Sequence, residues 1–182
     1  FNISGVILSG GPDSVSDEGS RRIPDWVFSL NKPILGICYG MQLLVEKFGG
    51  ELRCGTSREY GKAELIVESN LESPTGKILS KLPSNSTVWM SHGDDLAKMP
   101  DNFVLSAKTN NGVAAAICHT EQPIIGLQFH PEVEHSESGL DLLKGFVIDL
   151  CKSPINWDAG CMMESTLEYI KTTVKDGHVL VA

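Results

Sequence analysis

Residues 33–50, PILGICYGMQLLVEKFGG, decide the fold of this chain. The run PILGI is short, apolar and bounded by turn residues, as buried strands are. Behind Cys38 the apolar residues recur at helical spacing, at Met41, Leu44, Val45 and Phe48. The glycine pair at 49 and 50 supplies a left-handed stop. The stretch therefore predicts a buried strand, a sharp turn at Cys38 and a helix.

Similar apolar runs predict the rest of a sheet. They lie at residues 6–8, 63–67, 87–90, 113–118 and 124–129. A second helical stripe follows a capping region at 136–138 and consists of Leu143, Phe146, Val147 and Leu150. Strands with interleaved helices indicate an α/β fold, here a flavodoxin-like, open, mixed and mostly parallel sheet with flanking helices. Because residues 60–129 are richer in strands than in helices, part of the sheet is expected to be antiparallel.

Both ends of the chain suggest a longer protein. A buried strand starts near residue 3, so the sheet is expected to lack its N-terminal strand and helix elements. Residues 152–160, KSPINWDAG, break the periodicity and predict a linker. Beyond the linker a helix is predicted over Met163, Leu167, Ile170 and Val174. A turn at 176–177 and the first residues of a strand at 178–182 are expected to follow.

Composition and charge exclude several classes of protein. The 182 residues include 41% hydrophobic and 21% charged side chains, an ordinary globular composition. The formal net charge of -8 argues against a nucleic-acid partner, which would need clustered lysine and arginine. No apolar run approaches the roughly 20 residues that span a bilayer, and the first residues lack the basic flank of a signal peptide. We therefore expect no membrane association and a cytoplasmic location.

The five cysteines, at positions 38, 54, 118, 151 and 161, form no C-x-x-C pair. An odd number without that spacing argues against a disulfide framework and against zinc, so no metal site is predicted. Most of the cysteines are expected to be buried packing residues.

Cys38 differs from the other cysteines because it stands between two glycines, in GICYG at residues 36–40. Glycines allow a tight strand-to-helix turn that strains the central residue, and they leave its side chain accessible. The turn also sets the thiol at a helix N-terminus, where the helix dipole favours the thiolate. Cys38 is therefore a candidate nucleophile.

A cysteine nucleophile benefits from a neighbouring base, and His130 is the best candidate. It follows the predicted strand at 124–129 and precedes Pro131 and Glu132. If that strand is parallel to the one before Cys38, both deliver their C-terminal ends to one edge of the sheet. Glu132 could then hold the imidazole in one tautomer, as the third member of a triad does.

The other histidines carry weaker signals. His92 lies in MSHGD, between an apolar run and a polar loop, which predicts either a turn near the site or a structural histidine. His119, His135 and His178 lie in no such pattern and are expected at the surface.

The stretch LSGGPDSV, residues 8–15, reads locally like the Ser-Gly-Gly-x-Asp-Ser loop of ATP-cleaving synthetases. A phosphate-binding loop needs consecutive backbone N–H donors and a helix directly behind it. Pro12 removes one donor, and the residues that follow contain acids, a glycine and a late proline where the helix should begin. A nucleotide site is therefore not expected here.

Taken in order, SGGP (9–12), GICYGMQ (36–42) and FHPE (129–132) resemble the class I, triad-type glutamine amidotransferase family. SREYGKAEL (57–65) and WMSHGD (89–94) are similar to the branch of that family found in GMP synthetases. The tail, residues 163–182, resembles the entry helix and first strand of the ATP-pyrophosphatase domain of those enzymes. The resemblance runs from Val6 to the last residue.

The resemblance implies that glutamine is hydrolysed to glutamate and ammonia, with Cys38 as nucleophile, His130 as general base and acid, and Glu132 as its orienter. It also implies an oxyanion hole made by the backbone N–H groups of Gly11 and Tyr39. The substrate contacts that it implies lie at Gly10, Gln42, Ser91 and His92.

The domain layout is likewise implied by the resemblance. Residues 1–151 would form an N-terminally incomplete glutaminase domain, 152–160 a linker, and 161–182 the start of a synthetase domain. No cofactor is implied for the glutaminase step, whereas ATP and Mg belong to the absent synthetase domain, which would aminate adenylylated XMP to GMP. The implied partners are L-glutamine and that domain with its XMP and ATP, and the full-length enzyme is expected to be a homodimer.

Two other interpretations stay open. A cysteine triad could act on another amide, as in a peptidase or a γ-glutamyl hydrolase, although SREYGKAEL and the synthetase-like tail argue against this. The chain could also be a non-catalytic regulatory fragment, and the missing N-terminal strand is the argument for that interpretation.

Overall fold

The computed structural model describes residues 3–12, 14–15, 17, 19–68, 73–155 and 158–179, without the side chains of residues 54–58. Within this part of the chain seven strands form one sheet. The strands are β1 Val6–Leu8, β2 Ile34–Ile37, β3 Glu51–Val67, β4 Thr87–Lys98, β5 Phe103–Thr109, β6 Ala114–His119 and β7 Ile124–Leu127. Their order across the sheet is β1-β2-β7-β6-β5-β3-β4.

Helices lie between and after the strands. They are α1 Trp26–Ser29, α2 Tyr39–Lys47, α3 Pro74–Leu79, α4 Gly139–Lys144 and α5 Ala159–Val174, with a π-helical segment, Gly145–Leu150, directly behind α4. None of the described helices is both long and apolar enough to cross a lipid bilayer. The predicted α/β fold, with a mixed sheet and flanking helices, is confirmed.

The expectation of a mostly parallel sheet is wrong. β1 pairs with β2 and β2 with β7 in parallel, whereas β7–β6, β6–β5, β5–β3 and β3–β4 are antiparallel. The connections explain two of these antiparallel pairs, because residues 110–113 between β5 and β6 and 120–123 between β6 and β7 are too few for the crossover that a parallel pair needs. The antiparallel pairing expected within 60–129 is confirmed.

Both faces of the sheet are packed. Successive residues of its central strands point to opposite sides, so each of these strands contributes to two cores. On one face Ile34 and Ile124 belong to a core shared with α1 and α2. On the other face Leu35 and Ile125 belong to a core shared with α3, α4 and the π-helical segment. Each buried side chain of this size contributes about 1.5–3 kcal/mol, so the central strands form a rigid base for the residues at their ends.

The strands β3 and β4 extend beyond the runs that predicted them. The sequence predicts strands only at 63–67 and 87–90, yet β4 continues through MSHGD, where His92 pairs with Glu59 of β3. The predicted turn at His92 is therefore wrong. The sequence does not predict this part of β4, because the side chains on its buried face are polar rather than apolar.

His119 is buried, with 2% exposure, and not at the surface as expected. Its ring packs edge-on against Phe48 and Phe103. Its Nδ1 accepts hydrogen bonds from the backbone N–H groups of Glu121 and Gln122, at 3.1 and 2.9 Å. Burial lowers the pKa of His119, which favours the neutral ring that these two bonds require.

The helix α5 has no buried residue. Asp158 caps its N-terminus by accepting a hydrogen bond from the backbone N–H of Cys161 at 2.9 Å. The helix begins at Ala159 and so overlaps the end of the predicted linker at 152–160. Of the strand expected at 178–182, residues 180–182 lie outside the described part of the chain, and the domain boundaries stay a prediction.

Glycines let α2 start directly above the sheet. A Cβ at Gly40 would collide with the main chain of Leu8 in β1, and a Cβ at Gly36 would lie 2.7 Å from the main chain of Gly40. Real Cβ atoms do not make such contacts. The helix can therefore approach β1 and β2 only because these positions carry no side chain.

Replacing Gly40 by alanine is expected to lower the free energy of unfolding by about 1 to 3 kcal/mol, because the new methyl group must displace main-chain atoms. Urea unfolding measures the loss. Gly93→Ala is the matched control, since its Cβ would lie at an ordinary 3.7 Å from the Tyr60 hydroxyl. Equal losses in the two variants would contradict the explanation.

Candidate active site

Cys38 occupies the turn between β2 and α2 with φ 52° and ψ -107°. A positive φ is unfavourable for a residue with a side chain and persists where the surrounding structure enforces it, often at active sites. The Cys38 N–H donates to the Leu127 carbonyl of β7 at 2.7 Å, and the Cys38 carbonyl accepts from the Gln42 N–H at 3.2 Å. The sharp turn predicted from GICYG is therefore present and is tied to both neighbouring elements.

Two residues other than His130 contact the Cys38 sulfur. The thiol donates to the Ser91 carbonyl at 3.5 Å, and the Gln128 side-chain Nε2 lies 3.8 Å from the sulfur as a donor. Ser91 belongs to β4 and Gln128 follows β7, so the sulfur is held between two strands. Gln128 was not predicted from the sequence; the available signal was a polar residue inside the apolar run IIGLQF.

His130 reaches the same edge of the sheet as Cys38, because β2 and β7 pair in parallel. Its backbone N–H donates to the Trp89 carbonyl at 3.0 Å, and its carbonyl accepts from the Ser136 hydroxyl at 2.5 Å. Its Nδ1 lies 2.7 Å from Oε1 of Glu132. The residue is thus fixed by its main chain and by its ring at once.

The pKa of His130 is raised from 6.5 to about 9. The largest cause is a side-chain hydrogen bond with Cys38; burial opposes it, and the hydrogen bond and charge of Glu132 add to the rise. Because Nδ1 bonds Glu132, Nε2 is the ring nitrogen that remains for the sulfur. The imidazole therefore holds its proton at neutral pH.

The two glycines of SGGP lie against these side chains. A Cβ at Gly10 would lie 3.1 Å from Cε1 of His130 and 3.6 Å from Cβ of Cys38. A Cβ at Gly11 would lie 3.4 Å from Cδ1 of Tyr39. Gly10 thus leaves open the space in which the thiol and the imidazole meet, and Gly11 lies beside the first residue of α2.

A cavity of about 400 Å³ lies beside the thiol, within the size range of small-molecule sites. Six residues predicted from the sequence line it: Gly11, Cys38, Tyr39, Gln42, Ser91 and His92. The cavity lining also includes Tyr60 and Asp94, which sequence reasoning missed. The Ser14 hydroxyl donates to Oδ2 of Asp94 at 2.8 Å and so connects the SGGP loop to β4 across the cavity.

A cluster of buried polar side chains lies behind the β4 wall of this cavity. The His92 side chain has 0% exposure; its Nδ1 is 3.0 Å from the Asp94 carbonyl and 3.7 Å from Oδ1 of Asp95, and its Nε2 is 3.9 Å from Oε2 of Glu59. The other oxygen of Glu59 accepts from the Thr109 hydroxyl at 3.0 Å. Because the ring faces these groups, a substrate contact through the His92 side chain is not supported, and one through its main chain stays a prediction.

The same cluster contains the buried side-chain atoms that lack a hydrogen-bond partner among the described residues: Glu59 Oε2, His92 Nε2 and Asp95 Oδ1. Burial raises the pKa of Asp95, since the charged carboxylate is disfavoured there. No group of three or more His, Cys, Asp or Glu side chains within the described ranges is arranged to hold a metal ion.

Residues 1–150 match the family model described as glutamine amidotransferase class-I. The chain belongs to this family. The resemblance predicted from SGGP, GICYGMQ and FHPE is thereby confirmed. The matched residues include Cys38, His130 and Glu132.

Relatives of this amidotransferase chain are longer proteins. It is 44% identical over 182 residues to the GMP synthase (glutamine-hydrolyzing) of Bacillus cereus strain G9842 and 41% identical over 181 residues to that of Brachyspira hyodysenteriae. These matches include 100% of this chain but 35% and 34% of those proteins, so the chain spans about a third of their length. A solved structure of a GMP synthase component from Thermoplasma acidophilum matches with a TM-score of 0.66 and 32% identity over 82% of this chain and 73% of that chain.

Gly10→Ala is expected to slow alkylation of Cys38 by iodoacetamide at pH 7 at least about tenfold, because the new methyl group displaces the His130 ring from the sulfur. Peptide-resolved mass spectrometry measures the rate. Gly160→Ala is the control, since its Cβ would lie equally close, 3.1 Å, to Oδ1 of Asp158 far from the thiol. An unchanged rate in Gly10→Ala would contradict the expected crowding.

The raised pKa of His130 predicts a pH-dependent stability. A histidine with a folded-state pKa of about 9 adds stability that is fully present below its ordinary value of 6.5 and is lost as the pH rises through 9. The free energy of unfolding should therefore fall by about 1 to 3 kcal/mol between these pH values. Urea unfolding at several pH values measures this fall, which should be smaller in His130→Gln and in Cys38→Ala. The same fall in all three proteins would refute the assignment to His130.

Proposed function

We propose that this site hydrolyses the side-chain amide of glutamine to glutamate and ammonia. The observation that supports it is the grouping of three side chains: the Cys38 thiol, the His130 imidazole whose pKa the thiol raises, and the Glu132 carboxylate, whose Oε1 lies 2.7 Å from Nδ1 of the ring. The adjoining cavity of about 400 Å³ supplies a place for the substrate. Membership in the class-I amidotransferase family points to the same substrate.

In the first half of the proposed reaction the Cys38 sulfur attacks the amide carbonyl carbon as a thiolate, with its proton already held by His130. A carbon–sulfur bond forms, and the carbonyl oxygen takes up negative charge. The backbone N–H groups of Gly11 and Tyr39 are the proposed donors to this oxyanion. Tyr39 begins α2, and the first N–H groups of a helix have no acceptor within it. Loss of one such donor typically slows an enzyme by about a hundredfold or more.

The protonated ring of His130 then acts as the general acid. It gives its proton to the amide nitrogen, the carbon–nitrogen bond breaks, and ammonia leaves a thioester on Cys38. In the second half, water attacks the thioester while His130 accepts one of its protons. The carbon–sulfur bond breaks, its electron pair returns to the sulfur, and glutamate is released. Glu132 holds the ring in one orientation and stabilises its charged form throughout.

The remaining contacts to glutamine are proposed for residues on the cavity wall. Gln42, near the start of α2, is 5% exposed and lies on this wall. Ser91 and the main chain of His92 form its β4 side, and Gly10 allows the substrate to approach the thiol closely. These groups surround the substrate from α2, β4 and the SGGP loop.

The relatives suggest the use of the ammonia. Because GMP synthases match over this chain and extend well beyond it, we propose that the ammonia aminates adenylylated XMP to GMP in a longer protein. ATP and Mg would serve that second reaction, and residues 161–182 would begin the domain that binds them. A homodimeric full-length enzyme and a cytoplasmic location stay predictions.

Cys38→Ala is expected to lower glutamine hydrolysis by about 10⁴-fold or more, because the nucleophile of a triad cannot be replaced by water at the same site. Glutamate release is measured enzymatically with the purified protein and glutamine. Cys161→Ala is the matched control, since Cys161 is an exposed cysteine on α5, and it should hydrolyse glutamine like the parent.

A chloroketone analogue of glutamine tests the same proposal without turnover. It should label Cys38 stoichiometrically and leave Cys118, Cys151 and Cys161 unmodified, and excess glutamine should slow the labelling. Equal labelling of Cys38 and Cys161, or hydrolysis that persists in Cys38→Ala, would refute the proposed function.

A further inference from the structure

Besides its interaction with His130, the Cys38 sulfur has one contact that accepts its hydrogen and one that donates a hydrogen to it. The thiol hydrogen points to the Ser91 carbonyl at 3.5 Å, so the sulfur lone pairs are free to accept. The Gln128 amide Nε2 faces them at 3.8 Å, which is within the longer range of hydrogen bonds to sulfur. The two contacts respond oppositely to the charge of the sulfur.

Gln128 is a buried polar residue between apolar neighbours. It is 2% exposed, whereas Leu127 and Phe129 on either side of it are both at 0%. A buried amide costs free energy unless its N–H groups find acceptors, so a glutamine here requires a partner. The Cys38 sulfur is a partner that the structure provides.

The sheet holds the two residues in this arrangement. The Gln128 N–H donates to the Ala115 carbonyl of β6 at 2.9 Å, and the preceding residue, Leu127, accepts the Cys38 N–H at 2.7 Å. Both main chains are therefore fixed at adjacent strand ends. With solvent excluded, water does not compete for the amide donor, and the hydrogen bond keeps its strength.

Ionisation of the sulfur strengthens one contact and removes the other. A thiolate has no hydrogen to donate to the Ser91 carbonyl, whereas a donor to a charged acceptor forms a bond about twice as strong as a neutral one. The Gln128 amide thus favours the thiolate before attack. It also favours departure of the sulfur from the thioester, when the electron pair of the carbon–sulfur bond returns to it.

We propose that Gln128 is a further catalytic residue, whose side-chain amide donates to the Cys38 sulfur and stabilises its anionic form in both halves of the reaction. This inference rests on the proposed function for its role in turnover. The contact itself can be tested without glutamine, because iodoacetamide reacts with the thiolate of any accessible cysteine.

The first experiment uses Gln128→Met, which keeps the length of the side chain and removes the donor. The rate of Cys38 alkylation is measured at pH 7 and at pH 9.5, where an ordinary thiol with a pKa of about 8.5 is mostly ionised. The ratio of the rate at pH 7 to that at pH 9.5 should fall about three- to tenfold, an effect of the size expected for one charge-assisted hydrogen bond. Gln128→Glu should lower the ratio further, because a carboxylate repels the thiolate.

Ser106→Ala is the matched control. Ser106 is fully buried on β5, and its hydroxyl donates to the Val104 carbonyl of the same strand at 3.5 Å rather than to Cys38. It should leave the Cys38 ratio unchanged. A folded Gln128→Met with an unchanged ratio would overturn the proposal, and so would an equal slowing at both pH values, which would indicate altered access only. If glutamine hydrolysis fails while the ratio shifts as expected, the proposed function fails and the contact stands.

A second measurement needs no substitution. In the ¹⁵N-labelled protein the side-chain amide protons of Gln128 should lie further downfield at a pH where the Cys38 sulfur is anionic than at one where it is a thiol, and alkylation of Cys38 should abolish the difference. The side-chain amide of Gln122, in the loop before β7, serves as internal reference. A Gln128 signal that ignores both the pH and the alkylation would overturn the proposal even where the variants do not fold.

Discussion

The hydrogen bond from the Cys38 backbone N–H to the Leu127 carbonyl joins the two halves of the candidate site. It continues the parallel ladder of β2 and β7 by one residue beyond β2. Because parallel strands end at the same edge, the ladder brings the residues after β7 next to the residue after β2. Gly126 serves this pairing too, since a Cβ there would lie 2.8 Å from Cγ of Met41 in α2. The site therefore depends on close packing of a helix over two strands.

The strain at Cys38 has a source in this packing. The helix approaches the sheet so closely at Gly36 and Gly40 that the connecting residue must adopt a positive φ. Buried apolar residues on both faces of the sheet supply the stability that offsets such a conformation. The thiol is therefore fixed at the N-terminus of α2, whereas on a flexible loop it would adopt many orientations.

The β4 wall shows a different balance of forces. Glu59, His92 and Asp95 are buried polar groups with oxygen and nitrogen atoms that lack partners among the described residues, an arrangement that costs stability. The same cluster lies directly behind Ser91, whose carbonyl contacts the sulfur, and behind Asp94, which bonds Ser14 of the SGGP loop. Proteins accept such costs mostly near functional sites, and here the cluster lies beside the cavity, whose lining includes His92.

Sequence alone determined the features that depend on neighbours in the chain. GICYG predicts the sharp turn because flanking glycines are needed wherever a helix starts this close to a strand. The apolar runs before Cys38 and His130 predict buried strands, and the order of the motifs predicts the family. Only the tertiary structure decided the features that depend on pairing across the sheet. The pairing of β3 with β4 and β5, the strand at His92, the burial of His119 and the contact of Gln128 with the sulfur all come from residues distant in the chain. No local pattern records which strands become neighbours, because their pairing depends on how both faces of the whole sheet are buried.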